Sequence, residues 1–139
     1  MSLVLDASAA LAWIFERTDP GEAALADQLL GDIANQPVRV PSLWHLEVAN
    51  ALLIAERRGI AKEAQAIDYL QRLSDLPITT DDAEVSRRQE GIMALGRQFQ
   101  LTAYDASYLE LALRTGSTLA TFDNKLAAAM QTAGGSTYK

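Results

Sequence analysis

Four carboxylates occupy positions in the chain from which they could act together. Asp6 closes a short apolar run near the start, and Asp123 follows a later apolar run in the same way. Glu47 interrupts an otherwise apolar helical segment, and Asp105 opens another. Carboxylates that approach one another repel unless a cation lies between them, and a site made only of oxygen ligands suits Mg²⁺ or Mn²⁺. Such sites serve in-line displacement at phosphorus, so the residues predict hydrolysis of a phosphodiester.

Each of these residues taken alone also has a structural explanation. Asp6 and Asp123 could simply cap the helices that follow them, because Asp is a preferred N-cap residue. Thr102 and Asp105 have the spacing of a capping box. Glu47 could face water if its helix is less buried than its composition indicates. The prediction of a metal site therefore depends on the four acids as a set.

Composition narrows the kind of site that this chain can build. With 139 residues, of which 49% are apolar and 22% charged, we expect one globular domain spanning 1–139. There is no cysteine and His45 is the only histidine, so a metal site would need oxygen ligands. The net charge of −6 argues at first against a nucleic-acid partner. Divalent cations held by the four acids would offset most of that charge.

The order of predicted elements indicates an α/β fold. Short apolar runs at 3–5, 38–40, 76–79 and 118–121 have the character of buried parallel strands. Segments rich in Ala, Leu, Glu, Gln and Arg predict helices at 9–16, 21–35, 43–58, 62–74, 81–100, 104–115 and 123–133. Alternating strands and helices predict a parallel sheet covered on both faces, with its ligand site at the carboxyl ends of the strands.

Neither a membrane segment nor a leader is predicted. No apolar run approaches the roughly 20 residues that span a bilayer, and no basic segment precedes the first strand. We therefore expect a cytoplasmic protein.

Four motifs in order resemble the PIN-domain family, in particular toxins of the VapC type, over nearly the whole chain. They are Leu3-Val4-Leu5-Asp6-Ala7-Ser8-Ala9-Ala10, Pro41-Ser42-Leu43-Trp44-His45-Leu46-Glu47-Val48-Ala49-Asn50-Ala51-Leu52, Leu101-Thr102-Ala103-Tyr104-Asp105-Ala106-Ser107-Tyr108-Leu109-Glu110-Leu111-Ala112 and Thr121-Phe122-Asp123-Asn124-Lys125-Leu126.

The resemblance implies a three-layer α/β/α sandwich around a parallel sheet of four or five strands. It also implies an endoribonuclease that needs Mg²⁺ or Mn²⁺. The catalytic and metal-binding acids would be Asp6, Glu47, Asp105 and Asp123. Asp6 and Asp105 would make the central metal contacts, Glu47 a second contact or water activation, and Asp123 a second-metal or water-mediated contact. Ser8, Asn50 and Thr121 match polar residues that support these acids in the family.

The sequence departs from the family pattern in two places, the C-terminal stretch 134–139 and position 125. The stretch 134–139 is polar and glycine-rich where the family commonly has a fifth apolar strand, so that strand is expected to be short or absent. Lys125 stands where some relatives carry a further acid, which would weaken a second metal and offer a phosphate contact instead. Arg57 and Arg58 could guide RNA, although a solvated helix end explains these small basic groups better.

The resemblance also implies partners. A VapC-type toxin would bind RNA as substrate, form a homodimer and be covered by a cognate VapB-type antitoxin. The segments 21–35 and 43–58 are the candidate partner surfaces, with core packing as the alternative for their apolar residues Leu25, Leu29, Leu30, Leu52 and Leu53.

Two other functions remain open at this stage. Phosphoryl transfer through an aspartyl phosphate at Asp6 is disfavoured, because Ser8 stands where such enzymes carry a second Asp. A domain of the same fold that has lost catalysis could bind RNA or protein only, but the four acids are all present.

Overall fold

The computed structural model describes the whole chain, from Met1 to Lys139, and its elements alternate as the sequence predicts. The strands are β1 (Leu3–Leu5), β2 (Val38–Val40), β3 (Ile78–Thr80) and β4 (Thr118–Ala120). The helices are α1 (Ala7–Leu11), α2 (Pro20–Asp32), α3 (Leu43–Arg57), α4 (Glu63–Ser74), α5 (Gln89–Phe99), α6 (Ala103–Thr115) and α7 (Asn124–Thr132). Two 3₁₀ turns, Ile33–Asn35 and Val85–Arg87, follow α2 and precede α5.

The four strands form one parallel sheet in the order β3-β2-β1-β4. The sheet and its flanking helices make a three-layer α/β/α fold, so the predicted fold class is confirmed. The β1 strand is completely buried and contributes three residues to a core of 25 buried side chains. None of the helices is both long and apolar enough to cross a membrane.

The strand order creates a switch point between β1 and β4. After β1 the chain moves outward through β2 and β3, and it then returns to the other side of β1 as β4. Leu5 pairs with Ala120, and the Asp6 amide donates to the Ala120 carbonyl at 2.9 Å. Ligand sites of open parallel sheets lie outside the carboxyl ends of the strands at such a point. The residues that follow β1 and β4 therefore occupy the position at which this kind of sheet binds its ligands.

The first helix is shorter than the predicted 9–16. The α1 helix begins directly after Asp6 and ends at Leu11. Beyond it, Trp13 and Ile14 each donate a backbone hydrogen bond three residues back, which tightens the chain into turns. The Trp13 indole nitrogen also donates to the Ala26 carbonyl of α2 at 3.0 Å. This contact between elements redirects the segment, and local helix propensity could not indicate it.

The prediction of a helix at 81–100 was wrong for residues 81–88, because α5 begins at Gln89. The Asp81 amide donates to the Val40 carbonyl at 2.8 Å, which continues the pairing of β2 with β3. The Asp81 carboxylate accepts from Arg114 Nη2 at 2.7 Å. These contacts hold the chain extended, so that α5 begins only at Gln89 after one 3₁₀ turn.

The stretch 134–139 forms only the remnant of a fifth strand, as expected. Thr137 makes a single parallel bridge with Leu119 beside β4. The Leu119 amide donates to Ser136, and the Tyr138 amide donates to Leu119, both at 2.9 Å. The Tyr138 hydroxyl donates to the Asp32 carboxylate, and its ring packs against the core. One aromatic side chain therefore anchors this end of the chain.

Replacing Tyr138 with Ala should lower the free energy of unfolding by about 2 kcal/mol, because a partly buried ring and its hydroxyl contact are lost. Urea denaturation measures the effect. Thr137→Ala is the control, since it removes only an exposed side-chain hydrogen bond next to the same bridge. Equal destabilisation by the two substitutions would show that Tyr138 is not the anchor.

Candidate active site

Asp6 is the buried centre of a hydrogen-bond network that joins the ends of β1 and β4. Only 6% of the residue is exposed. Its Oδ2 atom accepts from the Ser8 and Thr121 hydroxyls, both at 2.6 Å. Those hydroxyl oxygens in turn accept backbone amides, from Phe122 at 2.9 Å and from Asp123 at 3.0 Å. The network orients Asp6 through one oxygen, while Oδ1 accepts no side-chain hydrogen bond.

Asp123 caps α7 and also lies in the electrostatic field of the site. Its Oδ1 atom accepts from the Leu126 amide at 3.0 Å, so the N-cap prediction is confirmed. Its charge also contributes to raising the pKa of Asp6 and of Asp105. The capping and site interpretations are therefore compatible, because capping occupies only one carboxylate oxygen.

Glu47 reaches toward the same region from α3 and is half-buried. Its Oε1 atom accepts from the Tyr108 hydroxyl of α6 at 2.5 Å. Burial is the largest cause that raises the pKa of Glu47, and the charges of Asp6 and Asp105 add to it. The sequence interpretation missed Tyr108, whose only signal was its position three residues after Asp105 on an otherwise apolar helix face.

Asp105 lies in the first turn of α6. The Thr102 hydroxyl accepts from the Asp105 amide at 3.1 Å, as the predicted cap requires. Burial raises the pKa of Asp105 most, followed by the charges of Asp123 and Asp6, while Lys125 and the Thr102 hydroxyl lower it. The side chain thus lies close enough to two other acids to feel their repulsion.

The four acids share one electrostatic environment. Burial raises the pKa of Asp6, and the two hydroxyl donors only partly oppose this. In each of Asp6, Glu47 and Asp105, a neighbouring carboxylate also disfavours the charged form. The structure therefore brings the four predicted acids, from the end of β1, from α3, from α6 and from the start of α7, into one region in which the charge of each is coupled to at least one other.

Some of the other predicted site residues contact the four acids, and the rest lie away from them. Ser8 and Thr121 touch Asp6, whereas Asn50 is exposed and makes no hydrogen bond to any of the acids. Arg57 and Arg58 lie at the far end of α3, about 15 Å along the helix from Glu47. They fit the solvated helix end better than a place beside the acids.

Two cations flank the acidic edge. Lys125 lies near enough to Asp105 to lower its pKa, and its Nζ atom donates to the Gln100 carbonyl at 2.7 Å. Arg17 was missed from the sequence. Its guanidinium carbon lies 4.7 Å from the centre of the Phe122 ring, directly before Asp123, and it pairs with Glu22 at 3.1 Å. A local pattern could not indicate this stacking across more than a hundred residues.

The donor set fits a hard divalent cation. In the structure no three acidic or histidine side chains converge on one point as a ready metal cluster. The acids nevertheless supply only oxygen, they repel one another, and Asp6 keeps Oδ1 free of side-chain donors. Asp6, Glu47, Asp105 and Asp123 are thus the residues that could hold Mg²⁺ or Mn²⁺.

Comparison with known proteins agrees with this architecture. The family model described as PIN domain matches residues 3–130. Ribonuclease VapC3 of Pyrobaculum aerophilum is 32% identical over 129 residues, which cover 91% of this chain and 93% of that protein.

Two solved structures resemble the fold. The crystal structure of PAE2754 from Pyrobaculum aerophilum has a TM-score of 0.68 and 27% identity, covering 93% of this chain and 79% of that one. The crystal structure of FitAcB from Neisseria gonorrhoeae has a TM-score of 0.65 at 16% identity, covering 99% of this chain and 96% of that one. The second likeness is one of fold alone.

The repulsion between the acids predicts that the metal-free protein loses stability as pH rises, which is the opposite of the effect of a carboxylate whose pKa is lowered by folding. Because the pKa of Asp105 is raised on folding, the folded state holds its proton more tightly than the unfolded chain does. Stability should therefore fall as pH rises from about 4, through the raised pKa, toward 7. Asp105→Asn removes this charge and should raise the Tm in EDTA at pH 7 by a few degrees. It should also flatten the pH dependence.

Thermal unfolding in EDTA across this pH range is the measurement. Asp75→Asn is the matched control, because Asp75 is exposed at the end of α4. A lower Tm for Asp105→Asn at pH 7 would contradict the electrostatic account of the site.

Proposed function

Because the chain belongs to the PIN-domain family, we propose that it is a single-domain endoribonuclease that hydrolyses RNA phosphodiester bonds with Mg²⁺ or Mn²⁺. The supporting observation is the buried Asp6, oriented by two hydroxyls at the β1–β4 switch point and repelled by neighbouring acids. The 32% identity to Ribonuclease VapC3 supports a nuclease of the VapC type. Such an enzyme would meet RNA in the cytoplasm.

The carboxylates have distinct parts in this proposal. Asp6 and Asp105 make the central metal contacts, Glu47 makes a second contact or accepts a proton from the attacking water, and Asp123 acts through a second metal or a water. A bound divalent cation would supply Lewis acidity toward the scissile phosphate.

The hydroxyls and the cations have supporting parts. Ser8 and Thr121 fix the carboxylate plane of Asp6, so this ligand needs no reorganisation when the cation binds. Lys125 acts on the charge of Asp105, and Arg17 lies against the Phe122 ring that precedes Asp123, so both are better placed than Arg57 and Arg58 to contact a phosphate. Asn50 has no assigned part.

Cleavage of mixed-sequence single-stranded and hairpin RNA tests the activity. Wild-type protein should cut RNA with Mg²⁺ or Mn²⁺ and not with EDTA. Asp6→Asn should lower the rate by at least about 10²-fold, because it removes a charged ligand and keeps the side chain's size. Asp27→Asn, an exposed aspartate within α2, should leave the rate unchanged.

Two outcomes would refute this assignment of function. Retained cleavage by Asp6→Asn would remove Asp6 from the site. Tight RNA binding without cleavage under any metal condition would instead favour the alternative, a domain of this fold that binds RNA or protein but does not catalyse. The four acids within mutual range argue against that alternative.

A cognate antitoxin is the proposed protein partner, and α3 offers the better surface for it. Leu29 and Leu52 are buried in the core, and Leu25 is half-buried, so core packing explains these three. Leu53 is 48% exposed and Leu46, seven residues earlier on the same helix face, is 76% exposed. Exposed apolar side chains in a stripe indicate a protein interface.

This surface can be tested on a purified complex with the proposed antitoxin, for which the neighbouring reading frame is the place to search. Leu53→Asp should weaken the complex at least about tenfold, because a charge would be buried against apolar side chains. Leu30→Asp, on α2 and 42% exposed, should change the dissociation constant little. The opposite ranking would place the antitoxin on α2.

A homodimer is proposed through a second apolar surface. A cavity of about 480 Å³ lies between the start of α3, the segment 81–88, α5 and α6. Its rim exposes Val85, Met93 and Tyr104, which are 56%, 51% and 66% exposed. A second copy of the chain covering this recess would bury all three.

A further inference from the structure

Tyr108 is fully buried, yet its hydroxyl contacts the candidate active site. The residue is 0% exposed and is among the largest buried side chains of the protein. From α6, the Tyr108 hydroxyl donates a hydrogen bond to Glu47 Oε1 of α3 at 2.5 Å. The two residues are 61 positions apart in the sequence. Burial and the bond to Glu47 raise the pKa of Tyr108 well above its ordinary value, so the phenol stays protonated and acts as donor.

Glu47 depends on this bond for its orientation. Its side chain has three rotatable bonds, it is only half-buried, and Tyr108 is its only hydrogen-bond donor. The bond occupies Oε1 and leaves Oε2 without a protein donor. Asp6 shows the same division, with Oδ2 held by two hydroxyls. In both residues the side-chain donors hold one oxygen and none of them binds the other.

A second buried tyrosine shows what a purely structural hydroxyl does in this fold. Tyr69 of α4 is 8% exposed, and its hydroxyl donates to the Ala10 backbone carbonyl at 2.6 Å. That bond ties α4 to α1 and touches no acid. The two tyrosines therefore have similar burial and equally short hydrogen bonds, and they differ in the acceptor.

We propose that Tyr108 is a positioning residue, whose hydroxyl holds the Glu47 carboxylate in the orientation that binds a divalent cation. This inference rests on the proposed function, because it assumes that Glu47 is a metal ligand. Tyr108 itself would touch neither cation nor RNA. Hydrogen bonds to the ligands of a metal commonly change metal affinity by 10–100-fold, which sets the expected size of the effect.

The test compares Tyr108→Phe with Tyr69→Phe by calorimetric titration of Mn²⁺ into the purified full chain. Both substitutions keep the ring and remove one buried hydrogen bond, so thermal unfolding should show comparable losses of stability. Tyr108→Phe should weaken Mn²⁺ binding about tenfold or more, whereas Tyr69→Phe should stay within about twofold of wild type. Unchanged Mn²⁺ affinity in Tyr108→Phe would assign Tyr108 to packing alone.

A double substitution separates positioning from a general disturbance of the site. If Tyr108 acts through Glu47, then Tyr108→Phe should lower Mn²⁺ affinity no further once Glu47→Gln is present. Independent, additive losses would overturn the proposed route through Glu47. If the wild type binds no Mn²⁺, the proposed function itself fails and the positioning role with it, and this outcome is distinct from selective failure of the Tyr108 comparison.

Discussion

The pairing of β1 with β4 is the constraint on which the site depends. The two strands are separated by more than a hundred residues, yet Leu5 pairs with Ala120 and the Asp6 amide donates to the Ala120 carbonyl. A shift of this register by one residue would turn every side chain of the shifted strand to the opposite face of the sheet. Asp6 would then lose the Thr121 hydroxyl that orients it. The pairing of β1 with β4 therefore sets the position of Asp6 relative to the hydroxyl that orients it.

Assembling carboxylates at this edge opposes folding. Burial raises the pKa of Asp6, Glu47 and Asp105, and each also feels at least one neighbouring acid. The fold offsets part of this cost, with hydroxyl donors at Asp6, a phenol at Glu47, and the positive helix ends of α6 and α7 near Asp105 and Asp123. The remaining repulsion between the carboxylates would strengthen the binding of a cation, since the bound positive charge would relieve it. The proposed metal-dependent activity therefore requires an arrangement of acids that lowers the stability of the metal-free protein.

The proposed catalytic and partner surfaces use different parts of the same helices. On α6, Asp105 and Tyr108 belong to the acidic edge, whereas Tyr104 and Ser107 line the apolar recess. On α3, Glu47 turns toward the acids while Leu46 and Leu53 remain exposed. Partner binding at either surface would therefore act on helices that also carry the acidic ligands. Such a shared scaffold gives a physical route by which an inhibitor protein could affect the site without filling it.

The sequence alone determined the strand order along the chain and the fold class, and it predicted the four acids as the candidate site. Short apolar runs and helical segments are local patterns, and acids that directly follow strands must emerge at one edge of a parallel sheet. The tertiary structure decided what depends on contacts distant in sequence. Trp13 binding to Ala26 shortens α1, and Asp81 binding to Val40 and Arg114 delays α5. Tyr108 contacts Glu47, Arg17 stacks on Phe122 beside Asp123, and Asn50 contacts none of the acids, because packing between elements sets which side chains meet. Local patterns specify which elements form, whereas some of their ends and the partners of buried polar groups are fixed only when the elements pack.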